Sequence, residues 1–242
     1  MTMDEWDYEP AVDLEVSLRE RLKGFPREPH LWMYALRTVA ALMLRAWLKL
    51  YHRLEIHGVD KLPVGESFII VANHQSHLDA PSLAAAIPLR WLHRAFPAAA
   101  ADYFFKNTPR SAFSSIVINA LPFDRKTKGG ESLAVCRELL QNEGNILIIF
   151  PEGTRSAGGD VSRFRSGIGR LVEGTEIPVV PCNLQGAARA FPKGAAFPRP
   201  RKLILRIGEP RNYGDMPPGW ETVEHIASDL RKTVMDLGGD SS

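Results

Sequence analysis

The sequence of 242 residues predicts an α/β fold, in which a mixed, mostly parallel central sheet is covered by helices and preceded by an apolar, amphipathic helical segment. Two observations support this prediction. Short apolar runs bounded by turn residues alternate with longer segments of helical periodicity. The composition, with 45% hydrophobic and 24% charged residues, is that of a folded protein large enough for one sizeable core.

The predicted strands are apolar runs that end at glycine, proline or polar residues. They cover residues 53–58, 68–73, 94–101, 120–123, 145–150, 176–184 and 202–208. A helix is expected to begin near Asp79, with Pro81 in its first turn, and to end at Pro88. A second helix is predicted within 129–144, where Gly144 supplies the left-handed C-terminal residue. The last helix ends at two glycines, Gly238 and Gly239, and carries its apolar residues on one stripe: Val223, Ile226, Leu230, Val234 and Leu237.

The N-terminal segment, residues 1–30, is predicted to be an acidic and flexible arm. Its first 16 residues hold six acids and no lysine or arginine. Without those acids, the chain has 30 basic and 22 acidic residues, a net charge of +8. Such an excess suits an anionic ligand or an anionic lipid surface, although it also serves solubility alone.

Residues 31–52 are predicted to form a helix that lies in a membrane interface. The segment is strongly apolar but contains Arg37, Arg45 and Lys49, which would be costly at the centre of a bilayer, so a spanning helix is not expected. On a helix these cations fall near one face and leave an apolar remainder, which is typical of an interfacial helix. A helix packed on the domain core is the alternative.

The cysteines and the N-terminus bear on the cellular compartment. Cys136 and Cys182 are far apart and each lies in an apolar neighbourhood, so a disulfide is not expected and a reducing compartment fits. The N-terminus lacks the basic and then apolar layout of a signal peptide. We therefore expect a cytoplasmic protein.

The segment VANHQSHLDAPS, residues 71–82, places His74, His77 and Asp79 directly after a strongly apolar run. It could hold a catalytic base with its partner, a metal site, or only the polar start of a helix. The pairing of histidine and aspartate is weak evidence alone, because Asp79 is also well placed as a helix N-cap. A zinc site would need further ligands, and neither His93 nor His225 lies in a recognisable ligand motif. We expect no bound metal.

A second polar turn, FPEGTRS at residues 150–156, favours the catalytic interpretation of the first. The segments NHQSHLD, LPFDR, FPEGTRS and VVPCNLQG resemble, in order and spacing, the four sequence blocks of the glycerolipid acyltransferase family, of the lysophosphatidate acyltransferase type. The resemblance extends from about Leu54 to Pro210. It implies one acyltransferase domain at residues 53–242, and four ordered blocks are far more specific than any single one.

The resemblance implies that His74 and Asp79 are catalytic. His74 matches a general base that removes the proton from an acceptor hydroxyl, a task suited to an imidazole with an ordinary pKa of about 6.5. Asp79 matches the carboxylate that orients this imidazole. No protein nucleophile is required, and no G-x-S-x-G elbow is present. Asn73 and Ser76 are expected to support the turn through local hydrogen bonds.

The family blocks and the basic segment RFRSG predict the acceptor site. Its predicted residues are Arg125, Glu152, Gly153, Thr154, Arg155 and Arg165. The guanidinium groups of Arg125 and Arg155 suit a phosphate, since each can donate two parallel hydrogen bonds, although surface salt bridges are their alternative role. Glycine at 153 would let the backbone approach a ligand, and Glu152 could hold a glycerol hydroxyl or fix an arginine.

The function implied by this resemblance is acyl transfer from acyl-CoA or acyl carrier protein, as co-substrate and without a cofactor, to a hydroxyl of a lysophospholipid. The first candidate acceptor is 1-acyl-glycerol-3-phosphate. Many members of the family place a lysine and a glutamate where Ala101 and Asp102 stand here, so another lipid acceptor is an open alternative. A lipid-binding relative without turnover and a thioesterase are the others, and nucleic acid is not expected as a partner.

Lipid substrates imply peripheral attachment to the cytoplasmic face of a membrane. The predicted membrane face combines the helix 31–50, the clusters WLHRAF and YFF, and the basic residues Arg199, Arg201 and Lys202. Each of these features could equally be ordinary core or solvated surface.

Overall fold

The structure is a computed structural model that describes residues 31–100, 121–123, 131–156 and 161–239. Four of the predictions concern residues outside these ranges. They are the acidic arm at 1–30, the predicted phosphate ligand Arg125, the YFF cluster at 103–105, and Ala101 and Asp102, which stand where many members of the family have a lysine and a glutamate.

Within the described residues, seven strands form one sheet. They are β1 (Glu55–His57), β2 (Phe68–Ala72), β3 (Ala95–Ala100), β4 (Leu121–Phe123), β5 (Ile146–Ile149), β6 (Val179–Gln185) and β7 (Ile204–Ile207). Their spatial order is β1-β7-β6-β2-β5-β3-β4. Every neighbouring pair is parallel except β6 and β7, which are antiparallel. The predicted mixed, mostly parallel sheet is confirmed, and each predicted strand overlaps an observed one.

Helices cover both faces of this sheet. They are α1 (Leu31–Tyr51), α2 (Asp79–Ala86), α3 (Glu131–Leu140), α4 (Gly167–Val172), α5 (Ala187–Ala190) and α6 (Trp220–Gly239). Short 3₁₀ turns occupy Val59–Lys61 and Leu89–Arg94. The four predicted helices are confirmed, and Gly144 is left-handed as predicted, with φ 78°, at the end of the turn after α3. Neither α4 nor α5 was predicted.

The two faces of β2 build two separate cores, because side chains alternate along a strand. Phe68 and Ile70 point into the core beneath α1, α2 and α5. Ile69 and Val71 point into the core formed with α3, α4 and α6. All five residues of β2 are buried, as expected for a central strand of a parallel sheet that is covered on both sides.

Helix α1 packs against the domain through a narrow side. Ala41 and Leu48 are buried, and the guanidinium of Arg45 donates to the carbonyl oxygens of Ala84 and Ile87 at the C-terminal end of α2. The carbonyl of Ala84 also accepts a hydrogen bond from the N–H of Ile87 at 3.3 Å, so the cation supplies that carbonyl with a second donor and supplies a donor to the carbonyl of Ile87 as well. This side of the helix therefore packs on the domain core, as the alternative interpretation expected, and the placement of the helix in a membrane interface stays a prediction.

The outward side of α1 is apolar. At about 100° per residue, seven of its exposed positions, all of them apolar, fall within an arc of about 120°. The exposed residues Thr38 and Lys49 border this arc on one side, and Tyr51 lies beyond its other side. The residues of this apolar face are Ala35, Leu36, Val39, Leu42, Met43, Ala46 and Leu50. Among the helices that the structure describes, none combines the length and the apolar composition needed for a membrane crossing.

Candidate active site

The candidate site lies where the adjacent parallel strands β2 and β5 end. Val71 pairs with Ile149, so the polar turns that follow the two strands emerge side by side. The ring of Phe150 stacks on the ring of His74, with centroids 4.4 Å apart and planes 20° apart. Ligands commonly bind at the carboxyl edge of such sheets, and this position agrees with that rule.

His74 and Asp79 form a hydrogen-bonded pair. The Nδ1 atom of His74 lies 2.9 Å from Oδ2 of Asp79. The aspartate side chain is 2% exposed and the histidine side chain 19%. A hydrogen bond from Nδ1–H to the carboxylate leaves Nε2 as the proton-accepting nitrogen of a neutral imidazole. The pair can therefore act as a base with its orienting carboxylate.

Asp79 is held by the turn that precedes α2. Its Oδ2 atom also accepts hydrogen bonds from the backbone N–H groups of Gln75, at 2.6 Å, and Ser76, at 2.8 Å. The alternative prediction that Asp79 caps α2 is wrong, because the helix begins at Asp79 itself and Leu78 occupies the N-cap position. The carboxylate turns back to the residues before the helix, so the turn presents it to His74.

Glu152 fixes the backbone of His74 from the other strand. Its Oε1 atom accepts a hydrogen bond from the N–H of His74 at 2.6 Å, and its Oε2 atom accepts one from the N–H of Ser162 at 2.9 Å. The N–H of Ser156 donates to the carbonyl of His74 at 2.9 Å. Glu152 is buried. Both of its oxygens thus bind backbone amides, and its predicted contact with an acceptor hydroxyl stays a prediction.

The turn after Glu152 is shaped by Gly153 and Arg165. Gly153 is left-handed, with φ 74°, and the guanidinium of Arg165 lies directly over it. A Cβ atom at position 153 would come within 2.6 Å of Arg165 Nε, so glycine alone fits without displacing that guanidinium. Arg165 is itself exposed, and Thr154 is exposed at the tip of the turn.

Arg155 lies near His77, the second histidine of the motif. Partial burial lowers the pKa of His77, and electrostatic interactions with Arg155 and His74 lower that pKa further, while the interaction with Asp79 raises it. The predicted residues His74, Asp79, Glu152, Gly153, Thr154, Arg155 and Arg165 therefore share one end of the sheet. Arg125 lies outside the described residues.

Asn73 and Ser76 reach further than the predicted local turn. The side chain of Asn73 donates to the carbonyl of Leu184 at 3.0 Å and accepts from its N–H at 2.8 Å, so it joins the end of β2 to β6. The prediction of local support is wrong for Asn73. Ser76 does support the turn, since its Oγ accepts from the N–H of Leu78 at 3.3 Å, but the hydroxyl also donates to the carbonyl of Phe191 at 2.9 Å.

The thiols do not contribute to this site. Cys136 and Cys182 are buried free thiols. Burial raises the pKa of Cys136 to about 12 and raises that of Cys182 as well, so neither thiol forms a nucleophilic thiolate near neutral pH. Across the described ranges, no three His, Cys, Asp or Glu side chains are grouped as a metal site requires.

Comparison with known proteins agrees with this arrangement. A family model described as Acyltransferase matches residues 53–185, more than half of the chain. The chain is 28% identical over 199 residues to 1-acyl-sn-glycerol-3-phosphate acyltransferase of Bacillus subtilis, with 80% of this chain and 92% of that protein covered.

Two further relatives come from distant sources. The chain is 23% identical over 189 residues to 1-acyl-sn-glycerol-3-phosphate acyltransferase alpha of Mus musculus, with 76% of this chain and 63% of that protein covered, so it spans less than two thirds of the mouse enzyme. The crystal structure of the 1-acyl-sn-glycerophosphate acyltransferase PlsC from Thermotoga maritima matches with a TM-score of 0.64 and 25% identity, over 86% of this chain and 81% of that chain. The family model matches more than half of the chain, and the two polar turns that follow β2 and β5 meet at one edge of the sheet. This chain therefore belongs to the acyltransferase family.

Proposed function

We propose that the protein transfers a fatty acyl group from an acyl thioester to a hydroxyl of a lysophospholipid, with 1-acyl-glycerol-3-phosphate as the first candidate acceptor. The observation that carries the proposal is the hydrogen bond of 2.9 Å between His74 Nδ1 and the buried carboxylate of Asp79. The names of the relatives from Bacillus subtilis and Mus musculus support the acceptor class.

The proposed reaction begins with proton removal by His74. Its Nε2 atom accepts the proton of the acceptor hydroxyl while the oxygen attacks the carbonyl carbon of the thioester. The tetrahedral intermediate collapses as the bond between carbon and sulfur breaks, and His74 returns the proton to the leaving thiolate. The carboxylate of Asp79 stabilises the imidazolium formed in between. A base of this kind typically contributes about 10² to 10⁴ in rate.

The acceptor phosphate is proposed to bind the arginines at the mouth of the site. Arg155 is half-buried and close to His77, and Arg165 lies over the turn at Gly153. Guanidinium groups bind phosphate with charge-assisted, often paired hydrogen bonds. Arg125 is proposed as a third ligand on the resemblance alone. Glu152 acts through His74, because both of its oxygens accept backbone hydrogen bonds.

Peripheral contact with a membrane is proposed to run along α1. An apolar arc of about 120° on a helix is what an interfacial helix buries among lipid headgroups and acyl chains. Met43 and Leu50, with exposed fractions of 68% and 79%, lie within it. The lipid acceptor would then be delivered from the same surface to which the enzyme is attached.

The experiment that tests this function is product analysis with a panel of acceptors. The purified protein is incubated with oleoyl-CoA, or with oleoyl-acyl carrier protein, and with lysophosphatidate, lysophosphatidylcholine, lysophosphatidylglycerol or no acceptor. Formation of a diacyl product from one lysolipid supports the proposal and identifies the acceptor. Release of free fatty acid without any acceptor would instead identify a thioesterase.

A further inference from the structure

Residues 190–199, between α5 and β7, form a closed surface loop, here named the Phe197 loop. The N–H of Arg199 donates to the carbonyl of Ala190 at 2.6 Å and closes its base, and a turn joins Ala195 N–H to the carbonyl of Pro192 at 3.1 Å. The side chain of Phe197 is 82% exposed. The contacts that Phe197 makes within the fold therefore do not explain why a large aromatic side chain stands at this position.

The two ends of this loop are tied to the catalytic turn and to α1. The carbonyl of Phe191 accepts a hydrogen bond from Ser76 Oγ at 2.9 Å, and the ring of Phe191 lies 5.9 Å from the ring of His77. At the other end, the hydroxyl of Tyr51 donates to the carbonyl of Pro198 at 3.1 Å. The loop therefore bridges the motif that carries His74 and the C-terminal end of α1.

The apolar face of α1 continues toward Phe197. Leu50, which is the last residue of that face, directly precedes Tyr51, and Tyr51 contacts the residue after Phe197. Single exposed apolar residues are ordinary on protein surfaces. Here, however, Pro198 and Tyr51 tie Phe197 to the end of α1 where an apolar face of seven residues ends, and exposed apolar surfaces of this extent mark interaction sites.

The surroundings of Phe197 are strongly basic. No Asp or Glu occurs between Glu176 and Glu209, and five exposed cations lie at or next to the loop: Arg189, Lys193, Arg199, Arg201 and Lys202. Lys202 pairs with Glu55 at 2.8 Å. The other four cations have no acidic partner in the part of the chain that the structure describes. A local excess of positive charge of this size attracts an anionic surface.

We propose that the Phe197 loop is a second membrane-contacting element, which places Phe197 among lipid headgroups and its cations on the phosphates of anionic lipids. This inference rests on the proposed function, since it concerns how that enzyme meets the bilayer holding its acceptor. A cationic surface alone would also suit an acidic acyl carrier protein. The exposed aromatic ring and its link to the end of α1 through Pro198 and Tyr51 favour the lipid surface, because a bilayer accepts both the apolar residues and the cations at once.

The test measures vesicle binding by the full chain. Co-sedimentation is carried out with vesicles of phosphatidylcholine and with vesicles of phosphatidylcholine mixed with phosphatidylglycerol. Phe197→Ser is expected to weaken binding to the mixed vesicles about tenfold, since a buried aromatic ring is lost. Lys193→Gln is expected to weaken binding to the mixed vesicles about fivefold and to leave binding to phosphatidylcholine vesicles unchanged.

Matched controls lie on α6, on the other side of the sheet. Trp220→Ser removes a ring that is 59% exposed, and Lys232→Gln removes an exposed cation; both are expected to bind vesicles like the wild type. Wild-type affinity in Phe197→Ser and Lys193→Gln would overturn the proposal. Unchanged vesicle binding with loss of turnover only when acyl carrier protein is the donor would overturn it in favour of a carrier-protein surface.

The outcome for the loop is separable from that for the enzyme. Thiol release from acyl-CoA, with a lysolipid acceptor dispersed in detergent, reports catalysis without a bilayer. Phe197→Ser is expected to keep wild-type turnover in that assay. If the wild type is inactive there but its vesicle binding depends on Phe197, the proposed function fails while the membrane contact stands.

Discussion

The carboxylate of Glu152 accepts a hydrogen bond of 2.6 Å from the backbone N–H of His74, although 78 residues separate them in the sequence. The same carboxylate holds the N–H of Ser162 at 2.9 Å. The turn after β5 therefore fixes the backbone of the proposed base, while Asp79 fixes its ring. Three elements, β2, β5 and the start of α2, converge on one imidazole.

Replacing Glu152 with glutamine should lower kcat more than it changes KM for the acceptor. Glutamine offers one oxygen where the carboxylate offers two, and its NH₂ group would face a backbone N–H, so His74 would lose its fixed position. We expect kcat to fall at least about tenfold and the free energy of unfolding to fall by about 1–3 kcal/mol.

Steady-state kinetics and urea unfolding check this expectation. Glu173→Gln is the matched control, since Glu173 also accepts a backbone hydrogen bond, from Gly219 at 3.2 Å, but on an exposed part of the surface. A large rise in KM with unchanged kcat in Glu152→Gln would show that Glu152 contacts the acceptor instead.

Replacing Gly153 with alanine should disturb the acceptor site through Arg165. The new Cβ would lie 2.6 Å from Arg165 Nε, so the guanidinium must move. We expect a raised KM for the acceptor, together with a loss of about 1–2 kcal/mol in stability from the left-handed backbone.

Gly174→Ala separates these two effects, because Gly174 has φ 65° and no heavy atom within 4 Å of the added Cβ. It should show the stability loss alone. If both variants had the same KM as the wild type, Arg165 would have no part in acceptor binding.

Replacing Arg155 with alanine should raise KM for a phosphate-bearing acceptor about tenfold or more, with a smaller change in kcat. A charge-assisted hydrogen bond to phosphate would be lost, and such bonds contribute about 1.5–3 kcal/mol. Arg163→Ala is the control, since Arg163 is 83% exposed and pairs with Glu224 at 2.7 Å. A similar rise in both variants would indicate a general charge effect rather than a phosphate contact.

Acidification should destabilise the fold through His52. This residue is buried, its Nδ1 lies 3.2 Å from the carbonyl of Arg201, and its Nε2 has no hydrogen-bond partner among the described residues. Burial lowers the pKa of His52 below its ordinary value of 6.5. The unfolded chain thus takes up the proton first, so this contribution to stability is complete above pH 6.5 and declines as pH falls toward the folded-state pKa.

Urea unfolding of wild type and His52→Phe near neutral pH and at about pH 5 tests the contribution of His52. We expect a smaller loss of stability on acidification in the variant. Part of the loss should remain, because burial also lowers the pKa values of His77 and His93. An identical pH dependence in the two proteins would mean that His52 is protonated equally in the folded and unfolded chains.

Much of the fold could be predicted because it depends on local patterns. Buried strands such as β2 and β5 are apolar runs that end at polar turns, and α6 carries its apolar stripe at helical spacing. Helices α4 and α5 were missed because six and four residues are too few for such a period to appear.

The contacts of the site depend on strand order, which the sequence does not display. Glu152 reaches His74 only because β5 lies next to β2, and Asn73 reaches Leu184 only because β6 lies on the other side. The N-cap prediction for Asp79 failed for a local reason, since the helix begins one residue earlier than a cap requires. The inward direction of Arg45 depends on the carbonyls at the end of α2, which lie 39 and 42 residues away in the sequence.

The most direct test of the proposed chemistry is thiol release from oleoyl-CoA in the presence of lysophosphatidate, by wild type, His74→Ala and His225→Ala. His225 is an exposed histidine on α6 and serves as the matched control. A base contributes about 10² to 10⁴ in rate, so we expect His74→Ala to lose at least about a hundredfold in turnover with lysophosphatidate binding retained, while His225→Ala matches the wild type. Turnover by His74→Ala at the wild-type rate would contradict the assignment of His74 as the base.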